Sequence, residues 1–325
     1  MACGALIALA GCRVTDMRLW RPPQAAPTDC DIDRFPAVAY HDAPGADPLR
    51  HRLDLFLPKG KKDYPVVVLV HGGAWMVGDN RCCGLYSSVG EHLARQGIGV
   101  ALPNYRLSPA VKHPEHVEDV ARAFAWVNQN IAKAGGDPQR IYLVGHSAGG
   151  HLVSLLATDP QYLRAVGCEV SDIQGVVGIS GVYRIPPGSV EVALGGNAGN
   201  SLRLDEMAPL RRASASRDAE PASGGLPVRF NIFKAPFGDN AEARRGASPV
   251  EHVRPGLPPF LLLCAEHDLP LLTGMAEEMH GVLTKNGVPC RLTTIAQRNH
   301  NSILFRAIDR DDPVARAIAD FVHSR

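Results

Sequence analysis

Two kinds of apolar pattern alternate along this chain. Short runs dominated by valine, isoleucine and leucine, at 66–70, 98–102, 141–144, 176–179 and 258–264, are separated by stretches whose apolar residues recur three and four apart. A run without polar alternation must be covered on both faces, as the strands of a parallel sheet are. Val117, Val120, Ala121, Phe124 and Val127 predict a helix over 117–131, and Leu152, Leu155 and Leu156 a second; further helices are expected over 273–283 and about 313–322. Residues 51–57 alternate, Leu53, Leu55 and Leu57 against Arg52, Asp54 and Phe56, which predicts an early, partly exposed strand, and 290–295 is the last strand-like stretch. Strands alternating with helices imply an α/β fold, a mostly parallel central sheet flanked by helices on both faces.

Two segments fall outside this rhythm. Residues 186–249 are rich in Gly, Ala, Pro and Arg with no sustained period, and so long a stretch inside a compact domain reads as a lid-like insertion. Residues 13–35, with Pro22, Pro23 and Pro27, read as a linker, which leaves 36–325 as one catalytic-sized domain carrying the insertion. A hydrophobic fraction of 45% with 21% charged residues excludes a disordered or membrane-spanning chain. Net charge is +1 with no Lys/Arg run, so nothing predicts a nucleic-acid partner. The eight cysteines form no C-x-x-C pair or His/Cys cluster of zinc spacing, and no metal is expected. The start of the chain is different: residues 1–10 are small and apolar, and Leu9-Ala10-Gly11-Cys12 resembles the lipobox of bacterial lipoproteins, whose cysteine is acylated and becomes the new N-terminus. On that reading 1–12 is a signal, Cys12 carries a lipid anchor and the protein is exported and membrane-attached; without such processing it would be cytoplasmic.

The candidate chemistry centres on Gly145-His146-Ser147-Ala148-Gly149, between the run at 141–144 and the helix marked by Leu152. A G-x-S-x-G motif at a strand-to-helix turn presents its serine at a strained, exposed tip, so Ser147 is the candidate nucleophile. A nucleophilic serine needs a base, and the base an orienting acid, in the chain order serine, acid, histidine at the ends of later strands. Ala265-Glu266-His267-Asp268 follows the run at 258–264, and Asn299-His300-Asn301-Ser302 follows the run at 290–295. Asp268 is read as the acid; Glu266 points to the same side of a continued strand, but Asp268 lies further past its end, where the loop can reach across. Of thirteen histidines, His300 stands just beyond the strand that follows the acid, whereas His280 lies on a helix and His323 near the end of the chain. Oxyanion donors are expected from the N–H groups of Gly73, Ala74 and Ala148, with Gly72 shaping the turn after the run at 66–70. Trp75 and Tyr105 are candidate pocket-lining residues, packing beneath the pocket being the other reading.

Taken in order, His71-Gly72-Gly73-Ala74-Trp75, Asn104-Tyr105-Arg106-Leu107, the motif around Ser147, and the C-terminal Asp268 and His300 resemble the carboxylesterase branch of the α/β-hydrolase superfamily. The likeness is greatest to the group that includes hormone-sensitive-lipase-like and feruloyl-esterase-like enzymes, and it runs from about Val38 to the C-terminus. It implies an α/β-hydrolase fold and a Ser147–Asp268–His300 triad, and a small-molecule ester as substrate, cleaved through an acyl-enzyme without any cofactor. Two features depart from the lipase-like pattern: the oxyanion motif reads H-G-G-A-W, not H-G-G-G, and His146 precedes the serine where such members often carry Asp. Both also resemble kynurenine formamidases, so hydrolysis of an arylformamide or other amide on the same triad is the alternative within enzymes. A non-catalytic binding module of the same fold is the alternative outside them, and the complete triad argues against it.

Overall fold

The computed structural model describes residues 30–188, 190–194, 202–204, 228–309 and 311–324. The lipobox-like residues up to Cys12, most of the linker and much of the insertion lie outside the described residues. In chain order the strands are β1 (Ile32–Ala39), β2 (Arg52–Pro58), β3 (Tyr64–Val70), β4 (Gly99–Pro103), β5 (Gly136–His146), β6 (Gly175–Ile179), β7 (Val190–Leu194), β8 (Leu202–Leu204), β9 (Val228–Asn231), β10 (Phe260–His267) and β11 (Cys290–Asn299). The helices are α1 (Leu85–Arg95), α2 (Glu115–Asn130), α3 (Ala148–Thr158), α4 (Pro160–Arg164), α5 (Lys234–Phe237), α6 (Ala241–Gly246), α7 (Leu272–Lys285), α8 (Ser302–Phe305) and α9 (Pro313–His323).

Eight strands form one sheet in the order β1-β2-β4-β3-β5-β6-β10-β11. β2 runs antiparallel to β1 and β4, and every other pairing is parallel, as the continuous apolar runs require. The two faces of β3 show why such a run forms. Val66, Val68 and Val70 share a core with Val120 and Phe124 of α2, Leu152 and Leu156 of α3, and Met279 of α7. Val67 and Leu69 point the other way, into a core with Val89 and Leu93 of α1 and Ile318 and Val322 of α9. All five are fully buried, each side chain contributing about 1.5–3 kcal/mol relative to an exposed one.

Three sequence expectations need correcting. β1 begins at Ile32, inside the stretch read as linker, and pairs with β2 through a register shift between Phe35 and Val38. Ala37 sits there at φ 56° and its N–H donates to Asp54. β2 is not half exposed: Leu53 to Pro58 are all buried, because β1 and β4 flank the strand and α1 lies across Phe56. The stretch at 186–249 is not simply irregular, since β7, β8 and β9 make a small antiparallel sheet in the order β8-β7-β9, followed by α5 and α6. Its reading as a lid rests on sequence alone.

The topology singles out one crevice. From β3 the chain crosses to β4 on one side, and β5 lies on the other, so the strand order reverses between β3 and β5. Loops leaving the carboxyl ends of two such strands diverge and leave a cleft between them. The loop after β3 is His71–Trp75 in sequence, and the turn after β5 contains Ser147.

Candidate active site

β5 ends at His146 and α3 begins at Ala148, which leaves Ser147 alone to make the turn. Its backbone is at φ 56°, ψ −119°, a region costly for any residue with a Cβ. The turn is over-determined by its surroundings. A Cβ on Gly149 would lie 2.1 Å from the Val70 carbonyl oxygen, and one on Gly145 would lie 2.3 Å from that of Gly149, so strand and helix meet only because both are glycine. The Ser147 N–H donates to the Ile179 carbonyl at 2.9 Å, pinning the tip to β6.

Ser147, His300 and Asp268, far apart in sequence, come together at this tip. The Ser147 Oγ lies 2.9 Å from His300 Nε2, and His300 Nδ1 lies 2.8 Å from Asp268 Oδ1. Asp268 follows β10 and His300 follows β11, neighbouring parallel strands whose ends deliver both side chains to the same place. Their side chains are 1% and 6% exposed, respectively. Burial would push the Asp268 carboxyl up, but the hydrogen bond and charge of His300, the Ser180 hydroxyl and the Ala265 N–H outweigh it and hold the group below its ordinary value. A carboxylate thus stands behind the imidazole with its lone pairs occupied: Oδ2 accepts from Ser180 and from Ala265 N–H, and Oδ1 from Leu269 N–H as well as His300. Glu266, the rival acid, accepts from the Gln297 N–H, and its side chain is 48% exposed.

The loop after β3 is built to direct backbone N–H groups. Gly73 at φ 119°, Ala74 at φ 51° and Trp75 at φ 59° turn the chain sharply. A Cβ on Gly73 would lie 2.0 Å from the Val77 carbonyl oxygen, so the position excludes other residues. The Gly72 N–H donates to Tyr86 Oη at 2.8 Å and is therefore not free for an oxyanion. Among the described residues the N–H groups of Gly73 and Ala74 meet no acceptor, and the Ala148 N–H opens α3, where no intrahelical partner exists.

Trp75 and Tyr105 do not line an open pocket; they are 1% and 0% exposed and pack beneath the loop. The Trp75 indole N–H donates to His151 Nδ1 at 3.2 Å, and His151 Nε2 donates to the Ala247 carbonyl at 2.7 Å. Phe233 and Phe237 of the insertion pack their rings 5.9 and 4.8 Å from that of Trp75. Tyr105 stacks on His71 at 4.4 Å and donates to the His71 carbonyl at 3.1 Å. Arg106 makes a bidentate pair with the buried Asp119 of α2, which also meets His51. The Asn104–Leu107 motif therefore supports the loop after β3 from beneath, through the contacts of Tyr105 with His71.

Two residues at the site escaped the sequence reading. Ser180, fully buried just past β6, donates to Asp268; a polar residue beyond each apolar run was the available signal. Tyr86, on α1, contacts both Gly72 and His146, and nothing local in the sequence announces those partners.

The family model described as BD-FAE matches residues 53–183. The chain is 35% identical over 209 residues to the probable carboxylic ester hydrolase LipM of Mycobacterium tuberculosis, a match covering 63% of this chain and 41% of that protein. It is 38% identical over 154 residues to the isoprenylcysteine alpha-carbonyl methylesterase ICME of Arabidopsis thaliana, covering 46% of this chain and 34% of the relative. The chain thus spans less than half the length of these two relatives. Among solved structures, an inhibited esterase B from Lactobacillus rhamnosis shares the fold at a TM-score of 0.68 and 20% identity, over 94% of this chain and 90% of that one.

Proposed function

We infer that this chain, a member of the carboxylesterase group of α/β hydrolases, hydrolyses carboxylic esters with Ser147 as nucleophile, His300 as base and Asp268 as the acid that orients it. The observation that carries this reading is the Ser147–His300–Asp268 line of contacts, at 2.9 and 2.8 Å, on a strained strand-to-helix turn. His300 Nε2 takes the hydroxyl proton as Ser147 Oγ bonds to the ester carbonyl carbon. Asp268 holds the proton on Nδ1 and stabilises the imidazolium that forms. The oxygen that gains charge is received by the N–H groups of Gly73, Ala74 and Ala148, where loss of one donor in comparable sites costs about 2.7–4 kcal/mol. Collapse of the tetrahedral species breaks the carbon–oxygen bond, and His300 protonates the departing alkoxide. Water, deprotonated by His300 in turn, then releases the acid and restores Ser147.

Short acyl chains are the expected substrates. The insertion has few large apolar residues with which to wall a long tunnel, Phe230, Phe233 and Phe237 being the exceptions. Of these, Phe233 and Phe237 are 3% and 6% exposed and packed against Trp75. The test is hydrolysis of p-nitrophenyl esters from C2 to C12 alongside N-formylkynurenine. Turnover should be highest at or below C4, and Ser147→Ala should lower kcat by roughly 10⁶ with loss of fluorophosphonate labelling. Faster turnover of C12 overturns the chain-length reading, and a Ser147→Ala protein that still turns over ester overturns the mechanism. The lipid anchor at Cys12 is a separate proposal, carried by the Leu9-Ala10-Gly11-Cys12 pattern and tested by the mass of the exported protein with and without Cys12→Ser.

A further inference from the structure

We propose that Tyr86 and His146 are positioning residues for this hydrolysis, a one-way chain of hydrogen bonds that ties the oxyanion loop, the end of β5 and the backbone carrying the base into one frame. The inference rests on the ester-hydrolase reading and adds two residues that touch neither substrate nor Ser147 Oγ.

The direction of every bond is forced. His146 Nε2 lies 2.8 Å from the carbonyl oxygen of His300, which can only accept, so Nε2 carries a proton. His146 is 3% exposed, and burial, together with the neighbouring His300, lowers it to about 3. The ring is therefore neutral, and its Nδ1 presents a lone pair. Tyr86 Oη lies 3.0 Å from that Nδ1 and must donate to it. The Gly72 N–H, 2.8 Å away, donates to the same Oη. Reversing any member would set two donors or two lone pairs face to face inside the protein, where an unmet polar group is costly.

Each end of the chain lies one step from the reacting groups. Fixing the His300 carbonyl restrains the backbone from which the imidazole reaches both Ser147 and Asp268. Fixing the Gly72 N–H sets the peptide that precedes the Gly73 and Ala74 donors. The Tyr86 ring is held in turn, edge-on to His71 at 6.0 Å and to Phe305 of α8 at 5.6 Å. Catalytic geometry is sensitive to misplacement of about 1 Å, which can cost roughly 10²-fold in rate.

Tyr86→Phe keeps the ring and removes both hydrogen bonds. It should lower kcat roughly 10- to 100-fold with KM changed by less than about twofold, and slow fluorophosphonate labelling in parallel. His146→Gln offers a donor and an acceptor on an uncharged amide and should stay within about threefold of wild type, whereas His146→Leu, of similar bulk with neither, should fall as Tyr86→Phe does. Melting curves on all three confirm that folded protein is compared. Wild-type kcat in folded Tyr86→Phe, or equal damage from His146→Gln and His146→Leu, overturns the proposal. A wild-type protein that hydrolyses no ester overturns the ester-hydrolase reading on which it stands.

Discussion

The end of β5 and the turn after β11 place two histidine rings 4.9 Å apart, and the two differ in their partners. His300 has a carboxylate behind it and a hydroxyl in front; His146 has a peptide carbonyl on one nitrogen and a tyrosine on the other. An imidazole backed by a carboxylate can take up a proton in the interior, because the charge that forms is met at once. An imidazole between neutral partners cannot, and serves as a fixed donor and acceptor. The residue type is the same, so the division of labour resides in the partners and in which strand end carries each ring.

The sharpest way to break that contrast is to remove the carboxylate. Asp268→Asn should lower kcat by roughly 10⁴ while leaving the fold intact, since an amide no longer enforces the tautomer with its lone pair on Nε2. Glu266→Gln, changing the carboxylate one strand residue short of His267, should alter kcat by less than about threefold. Steady-state kinetics on both variants checks the assignment, and a larger loss in Glu266→Gln would transfer the acid's role to that residue.

A smaller effect sharpens the contrast through stability. Burial lowers His146 and His151 to about 3 and His71 to about 4. All three are neutral in the native protein, whereas the unfolded chain protonates them from about pH 6.5 downward. Between that pH and the native values the unfolded state binds more protons, so stability is complete above about 6.5 and falls as pH drops. The limiting slope is roughly 1.4 kcal/mol per pH unit for each histidine. The urea midpoint should therefore drop between pH 7.5 and 5.5, and less so in His146→Gln. An unchanged midpoint would mean that these rings are not held neutral.

Much of this site was legible because its residues follow strand-like stretches, most of them unbroken apolar runs. Val66–Val70, Ile141–Val144 and Leu261–Cys264 each announce a buried strand, the mixed stretch Cys290–Ile295 is a mostly unburied edge strand, and Ser147, Asp268 and His300 follow at the carboxyl ends. β1 was hidden because it is an edge strand with mostly exposed residues, a proline and a register shift, so it shows no alternation. α1 was legible but went unread: Tyr86, Val89 and Leu93 recur three and four apart and are buried, and Gly90 in the same stripe, where a Cβ would meet the Phe56 ring at 2.9 Å, marks close packing on β2. Ser180 and Tyr86 are defined by partners 88 and 60 positions away, which no local pattern encodes.

The central claim is that Ser147 becomes acylated during turnover. Purified protein mixed rapidly with excess p-nitrophenyl butyrate should release p-nitrophenol in a burst of about one equivalent where deacylation is slower than acylation. Intact-mass analysis of the acid-quenched sample should show one butyryl group, mapped by digestion to the peptide containing Ser147 and absent from Ser147→Ala. Turnover accompanied by an adduct on any other side chain, or by an unmodified Ser147 peptide under conditions that produce the burst, would contradict the account.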